Sequence, residues 1–151
     1  MTNLEQLYQE TILEHNKNPR NFKKEIKYTH SSHGKNPVCG DDYNIFLKIN
    51  GDVIEDVSFE GEGCAISKAS ASILTTQLIG KTIEEARQLK DSFLKLITVQ
   101  QDCGDCKKCL GKLQIFEGVK KYPIRIKCAT LIWHALEAAF NNPVTKEQNS
   151  D

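Results

Sequence analysis

One helix, one β-hairpin and then helices to the end is the order of elements legible in these 151 residues, a single mixed domain of helices and antiparallel strands. Three observations predict it. Apolar residues recur at helical spacing near the start, two alternating runs flank Asn50-Gly51, and three further helical patterns follow Cys64.

Leu4, Leu7, Tyr8 and Ile12 share a helix face and Asn18-Pro19 ends the pattern, so a first helix runs from about residue 3 to 16. Tyr28 to Pro37 shows little periodicity and reads as an edge strand or a loop. Tyr43, Ile45, Leu47 and Ile49 alternate with Asn44, Phe46 and Lys48; Asn50-Gly51 is a hairpin turn; and Val53, Glu55, Val57 and Phe59 continue the return strand. Ala65 to Ile79 is rich in small residues and stops at Gly80, a helix packed closely on the sheet. Thr82 and Glu85 form a capping box ahead of Ile83, Ala86, Leu89, Phe93 and Leu96. Pro123 precedes a last helix carrying Cys128, Leu131, Ile132, Ala135, Leu136 and Ala139 as far as Asn141. Residues 1–141 thus form one domain without internal repeats, and 142–151 read as a polar, disordered tail.

Lys plus Arg and Asp plus Glu balance at 20 each, so nothing in the net field points to nucleic acid or a membrane surface; a protein or a small species is the expected partner. No apolar run reaches the roughly 20 residues that span a bilayer, and Met1-Thr2-Asn3 leads straight into an amphipathic pattern without a signal core. The expected location is cytoplasmic. Six cysteines in such a chain point to metal binding or thiol chemistry instead of disulfides.

Three of them, Cys39, Cys64 and Cys128, each stand at a turn or a helix start. Because hairpin strands are antiparallel, Cys39 before the first strand and Cys64 after the second come side by side. Asp41, across Gly40, can add a carboxylate to the three thiols, giving the four ligands of a tetrahedral zinc site. A helix N-terminus at Cys64 and at Cys128, with Arg125 and Lys127 beside the latter, favours the thiolates. The plainer reading makes Cys64 and Cys128 buried small hydrophobes and Asp41 a turn residue, with Asp42 as able a ligand. His15, His30, His33 and His134 read as surface or helix residues, His33 alone lying near Cys39 in sequence.

Asn36-Pro37-x-Cys39-Gly40-Asp41, Gly61-x-Gly63-Cys64-Ala65-Ile66-Ser67 and Arg125-Ile126-Lys127-Cys128-Ala129-Thr130-Leu131 resemble the three cysteine motifs of the NifU N-terminal family, which includes the IscU scaffolds and the SufU proteins. The resemblance spans the chain to about residue 140. It implies an α+β fold, a small antiparallel β-sheet covered by helices with the metal site at one end, and a role in iron–sulfur cluster assembly. Scaffold-type members carry His before the third cysteine and a Leu-Pro-Pro-Val-Lys segment for a chaperone; here those places read Lys127 and Tyr122-Pro123-Ile124-Arg125-Ile126. Arg-Ile-Lys-Cys and the long stretch between Cys64 and Cys128 are similar to the SufU branch. That likeness implies zinc on Cys39, Asp41, Cys64 and Cys128, with Cys39 the catalytic sulfur acceptor. It also implies a SufS-like cysteine desulfurase and downstream iron–sulfur assembly proteins as partners, the chain being a sulfurtransferase partner more than a free-standing enzyme. The alternatives are an IscU-like scaffold assembling a [2Fe–2S] cluster on the same ligands, and a structural zinc interaction module.

Cys103-Gly104-Asp105-Cys106-Lys107-Lys108-Cys109 lies outside these motifs. Two-residue spacing lets a turn aim paired sulfurs at one ion, but the fourth Cys followed by Pro of a ferredoxin run is missing, since positions 113 and 114 are Leu and Gln. An exposed loop with incidental thiols and an accessory metal or redox site are both open. Seven Lys or Arg against Glu117 between Lys107 and Lys127 read as a solvated basic strip, also suited to steering an acidic partner.

Overall fold

The computed structural model describes residues 3–98 and 110–144. Its elements are α1 (Asn3–Lys17), β1 (His30–Asn36), β2 (Asp41–Asn50), β3 (Val53–Glu62), α2 (Ala65–Leu78), α3 (Ile83–Thr98), a 3₁₀ segment (Gly111–Val119) and α4 (Pro123–Phe140). The three strands form one antiparallel sheet in the order β1-β2-β3. Of the two readings open for the stretch before Cys39, the edge strand is the one found: Asn36 stands opposite Asp41 and His30 opposite Leu47.

Tyr43, Ile45, Leu47 and Ile49 all enter the core, as their alternation predicts. The return strand departs from its predicted phase. Pairing shifts between Lys48 and Ile49, so Ile54 is buried in place of Val53, and Val57 and Phe59 regain the inner face past the irregularity. Both sheet edges are covered. Asn21 and Lys23 exchange backbone bonds with Phe59, while Val144 N–H donates to the Thr29 carbonyl and Asn142 Nδ2 donates to that of Ser31. The start of the expected tail, 142–144, is therefore docked on β1; 145–151 fall outside the described residues.

The helices lie over the inner face of the sheet. α2 is lined with small polar residues because its hydroxyls tie neighbouring elements together. Ser70 Oγ accepts from Trp133 Nε1 at 3.1 Å and donates to the Ala129 carbonyl at 2.7 Å; Ser72 Oγ bonds His15 Nδ1 at 2.7 Å and accepts from Arg20 N–H at 2.8 Å. His15, of the two readings open for it, is a helix residue with a buried ring, and that burial, with Arg20 and Lys112 nearby, brings its pKa down to about 4. The capping box of α3 is present, Thr82 N–H donating to Glu85 Oε1 at 2.9 Å and Glu85 N–H to Thr82 Oγ1 at 3.1 Å. Part of the supposed basic strip is core. Leu113, Ile115, Phe116 and Val119 of the 3₁₀ segment are buried, and Phe116 meets Phe93 edge-on at 5.7 Å. No described helix is long and apolar enough to cross a membrane.

Candidate metal centre

Four elements converge at the end of the sheet where β2 begins and β3 ends. Cys39 sits in the turn 37–40 between β1 and β2, where Gly40 takes φ +74°, a conformation that side-chain-bearing residues rarely adopt. Asp41 follows as the first residue of β2 and is fully buried. Cys64 caps α2, its sulfur accepting the Ser67 N–H at 3.4 Å. Cys128 lies in the second turn of α4 with only 3% of its surface exposed.

The carboxylate of Asp41 is held by one oxygen. Oδ1 accepts the Cys64 N–H at 2.8 Å and the Ser67 hydroxyl at 3.0 Å, while Oδ2 is buried without a partner. Tyr43 hydroxyl lies 3.3 Å from Ser67 Oγ, and its pKa is pushed up to about 12, chiefly by burial, with Asp41 and the thiols of Cys64 and Cys128 adding to the rise. Gly63 makes this approach possible: a Cβ there would lie 2.5 Å from Asp41 Oδ1 and 2.7 Å from Ser67 Oγ.

Cys39, Cys64 and Cys128 are free thiols, and the Cys128 thiol donates to Cys39 Sγ at 3.0 Å. Ligand atoms of Cys39, Asp41 and Cys128 lie within 4.8 Å of one another. Cys64 stands outside that tight trio, but its thiol is near enough to Cys128 to bear on its ionisation. Burial first, then hydrogen bonding with Cys39 and Cys64 and the charge of Asp41, push the Cys128 thiol well up. This reverses the sequence expectation for Cys128. α4 begins at Pro123, five residues earlier than the cysteine, and Lys127 turns to solvent, so neither helix start nor cation offsets desolvation.

Three sulfurs and a bare carboxylate oxygen suit a thiophilic divalent cation, which would take the place of the thiol protons and satisfy Oδ2. Asp42 points the other way, its Oδ1 2.5 Å from His33 Nε2 on the exposed face, so the ring nearest Cys39 in sequence is engaged away from the thiols. Cys103, Cys106 and Cys109 fall outside the described residues. The sequence places Tyr43 in an alternating strand and Gly63 and Ser67 in the second cysteine motif, but points to none of them as part of the site. The signal for Ser67 is in its spacing: it stands three residues after the helix-capping Cys64, where a hydroxyl can turn back to the cap residue and what lies beside it.

A model of the NifU-like N-terminal domain matches residues 7–129. The chain belongs to the NifU-like N-terminal family. Among curated family relatives it is 42% identical over 149 residues to the zinc-dependent sulfurtransferase SufU of Bacillus subtilis, covering 99% of this chain and 97% of that protein. It is 36% identical over 151 residues to the iron–sulfur cluster assembly scaffold protein IscU of Streptococcus pyogenes serotype M1, covering 100% and 93%. A crystal structure from Fervidobacterium islandicum AW-1, named for the SUF iron–sulfur assembly system, superposes with a TM-score of 0.80 at 36% identity, covering 89% of this chain and 97% of that one. The α+β architecture and the NifU-like membership expected from the three cysteine motifs are those found.

Proposed function

We propose that this chain works in iron–sulfur cluster assembly as a SufU-like sulfur acceptor, taking persulfide sulfur on Cys39 from a cysteine desulfurase and passing it to downstream assembly proteins. Zinc on Cys39, Asp41, Cys64 and Cys128 completes the reading; when bound, it keeps thiols deprotonated at neutral pH without redox chemistry of its own. The observation that carries the proposal is the position of Cys39: a sulfur on a surface turn beside Val38, which is 69% exposed, yet touching the buried thiol of Cys128.

Cys39, once free as a thiolate, attacks the outer sulfur of the donor persulfide. A sulfur–sulfur bond forms at Cys39, the donor's breaks, and the donor cysteine leaves as a thiolate, so no outside oxidant or reductant is needed. Asp41, fixed through Oδ1, and Cys64, fixed through the Ser67 N–H, keep their places while the turn moves. Exposed Lys127, where the scaffold branch carries His, favours sulfur acceptance over cluster building. Free thiols suit a reducing, cytoplasmic setting.

The test is incubation with a cysteine desulfurase and cysteine, followed by intact-mass analysis. The parent chain gains sulfur on Cys39, and Cys39→Ser gains none and fails to stimulate turnover. Undiminished stimulation by Cys39→Ser sinks the reading. The scaffold reading has a specific support in the full-length likeness to a protein named IscU; it requires the chain to hold a coloured [2Fe–2S] cluster after anaerobic reconstitution.

A further inference from the structure

Asp41 Oδ1 accepts two hydrogen bonds, from the Cys64 N–H at 2.8 Å and from the Ser67 hydroxyl at 3.0 Å. A carboxylate oxygen offers about two lone-pair sites, so Oδ1 is full and the partnerless Oδ2 is the oxygen left for an ion. The two donors are not equally committed. The Cys64 N–H is backbone at the head of α2, fixed with the helix. The Ser67 hydroxyl has a single proton and two oxygen acceptors equally near, Asp41 Oδ1 and the Cys64 carbonyl, each at 3.0 Å.

Tyr43 bears on where that proton goes. Its ring packs against Phe59 in the core, the residue is 1% exposed, and among the described residues its hydroxyl has Ser67 Oγ, 3.3 Å away, as hydrogen-bond partner. If Ser67 donated to Tyr43, the phenolic proton would be buried without an acceptor and Asp41 would lose a donor. If Tyr43 donates, every proton is placed, phenol to Ser67 Oγ and Ser67 to the carboxylate. A hydroxyl that accepts one bond is the stronger donor in its next. A charged acceptor is favoured over a neutral carbonyl, here one that already takes the Lys68 N–H at 3.1 Å. The three oxygens close around the bare α-carbon of Gly63, where a Cβ would stand 2.5 Å from Asp41 Oδ1, 2.7 Å from Ser67 Oγ and 2.9 Å from Tyr43 Oη.

We propose that Tyr43 and Ser67 are positioning residues that restrict Asp41 to one-oxygen ligation and thereby set which cation the centre prefers. This rests on the reading of Cys39, Asp41, Cys64 and Cys128 as a metal centre. With Oδ1 occupied by donors, the carboxylate adds one atom to three sulfurs, the four-coordinate set that zinc(II) favours. With a lone pair of Oδ1 released, the carboxylate can chelate, and a larger thiophilic cation such as cadmium(II), which accommodates a fifth ligand atom, gains on zinc.

The test is metal competition on the full chain, with zinc(II) and cadmium(II) as probes, in Tyr43→Phe, Ser67→Ala and the double variant. The ratio of zinc to cadmium affinity falls about tenfold in Ser67→Ala, the effect of removing an outer partner of a ligand, and roughly threefold in Tyr43→Phe, which keeps the serine and removes what orients it. In the double variant it falls no further than in Ser67→Ala, because Tyr43 acts through Ser67. Cobalt(II) supplies a readout that a merely structural role does not move: the intense ligand-field absorption of a four-coordinate ion in the parent weakens in Ser67→Ala as a fifth ligand atom joins. Tyr43→Phe keeps the ring that packs on Phe59, so this variant folds as the parent does without metal. An unchanged affinity ratio in either single variant, or additive losses in the double variant, overturns the proposal. If the parent takes up neither zinc(II) nor cobalt(II), the metal centre falls and this role with it; normal uptake by the parent, with ratio and cobalt spectrum unchanged in the variants, removes the role of Tyr43 and Ser67 alone.

Discussion

Cys39 and Cys128 touch, sulfur to sulfur at 3.0 Å, yet belong to unlike parts of the molecule. Cys128 is anchored in α4 among Ala129, Ile132 and Trp133, all buried, and burial drives its thiol toward the protonated form. Cys39 rides a short turn hinged by Gly40 and flanked by Val38 on the surface. Asp41 and Cys64 side with Cys128, each fixed by a backbone N–H. Two thiols and a carboxylate held on regular elements, beside one sulfur on a surface turn, make the contrast the proposed function draws on, because a turn can shift without dismantling a helix or a strand.

The contrast breaks most completely if the two thiols and the carboxylate are wedged apart. In Gly63→Ala the new methyl collides with Asp41 Oδ1, Ser67 Oγ and Tyr43 Oη, at 2.5, 2.7 and 2.9 Å. Stability should fall by about 2–3 kcal/mol, and zinc affinity, read by competition with a chromophoric chelator, by more than tenfold. Alkaline pH tests the buried thiol next. An unfolded cysteine ionises near 9 while folded Cys128 stays protonated, so its contribution is intact below that pH and is lost as pH rises above it, by about 1.4 kcal/mol per unit. Denaturant titrations of the metal-free chain should show that slope, and Cys128→Ala should flatten it. Ser67→Ala takes one of two bonds from Asp41 Oδ1 and should cost about 1 kcal/mol in the same titration. Smallest is Asp42→Ala, which removes an exposed pair with His33; zinc competition should match the parent and stability should change by under about 0.5 kcal/mol. Weakening there as large as in Asp41→Ala would move the oxygen ligand to the outer face.

Much of this is legible in the residues alone. The Asn50-Gly51 turn alone brings the neighbourhoods of Cys39 and Cys64 together, and the alternation through Ile49 names the inner face of β2. Other features were hidden for physical reasons. The irregularity at Lys48 and Ile49 shifts the phase of β3, and Val53 and Ile54 are equally apolar, so no pattern says which one enters the core. β1 is polar, His-Ser-Ser-His-Gly-Lys-Asn, and becomes a strand because α4 packs against its small inward residues, information that lies a hundred positions away. At the site, the residue types were readable but the protonation of Cys128 was not. Its state depends on how deep α4 is buried, which no local motif encodes.

Trp133 is the chain's single tryptophan. It stacks on Phe93 at 4.5 Å and its indole N–H reaches across to Ser70 of α2, which in turn donates to Ala129 of α4. It stands five residues beyond Cys128, roughly 7–8 Å along the axis, and Ser70 stands six residues beyond Cys64. The molecule thus carries an intrinsic optical gauge across the two helices that bear its fixed sulfurs. Its emission reads the spacing of those helices with no label attached, and offers a time-resolved signal for whether that spacing stays constant during the proposed sulfur transfer.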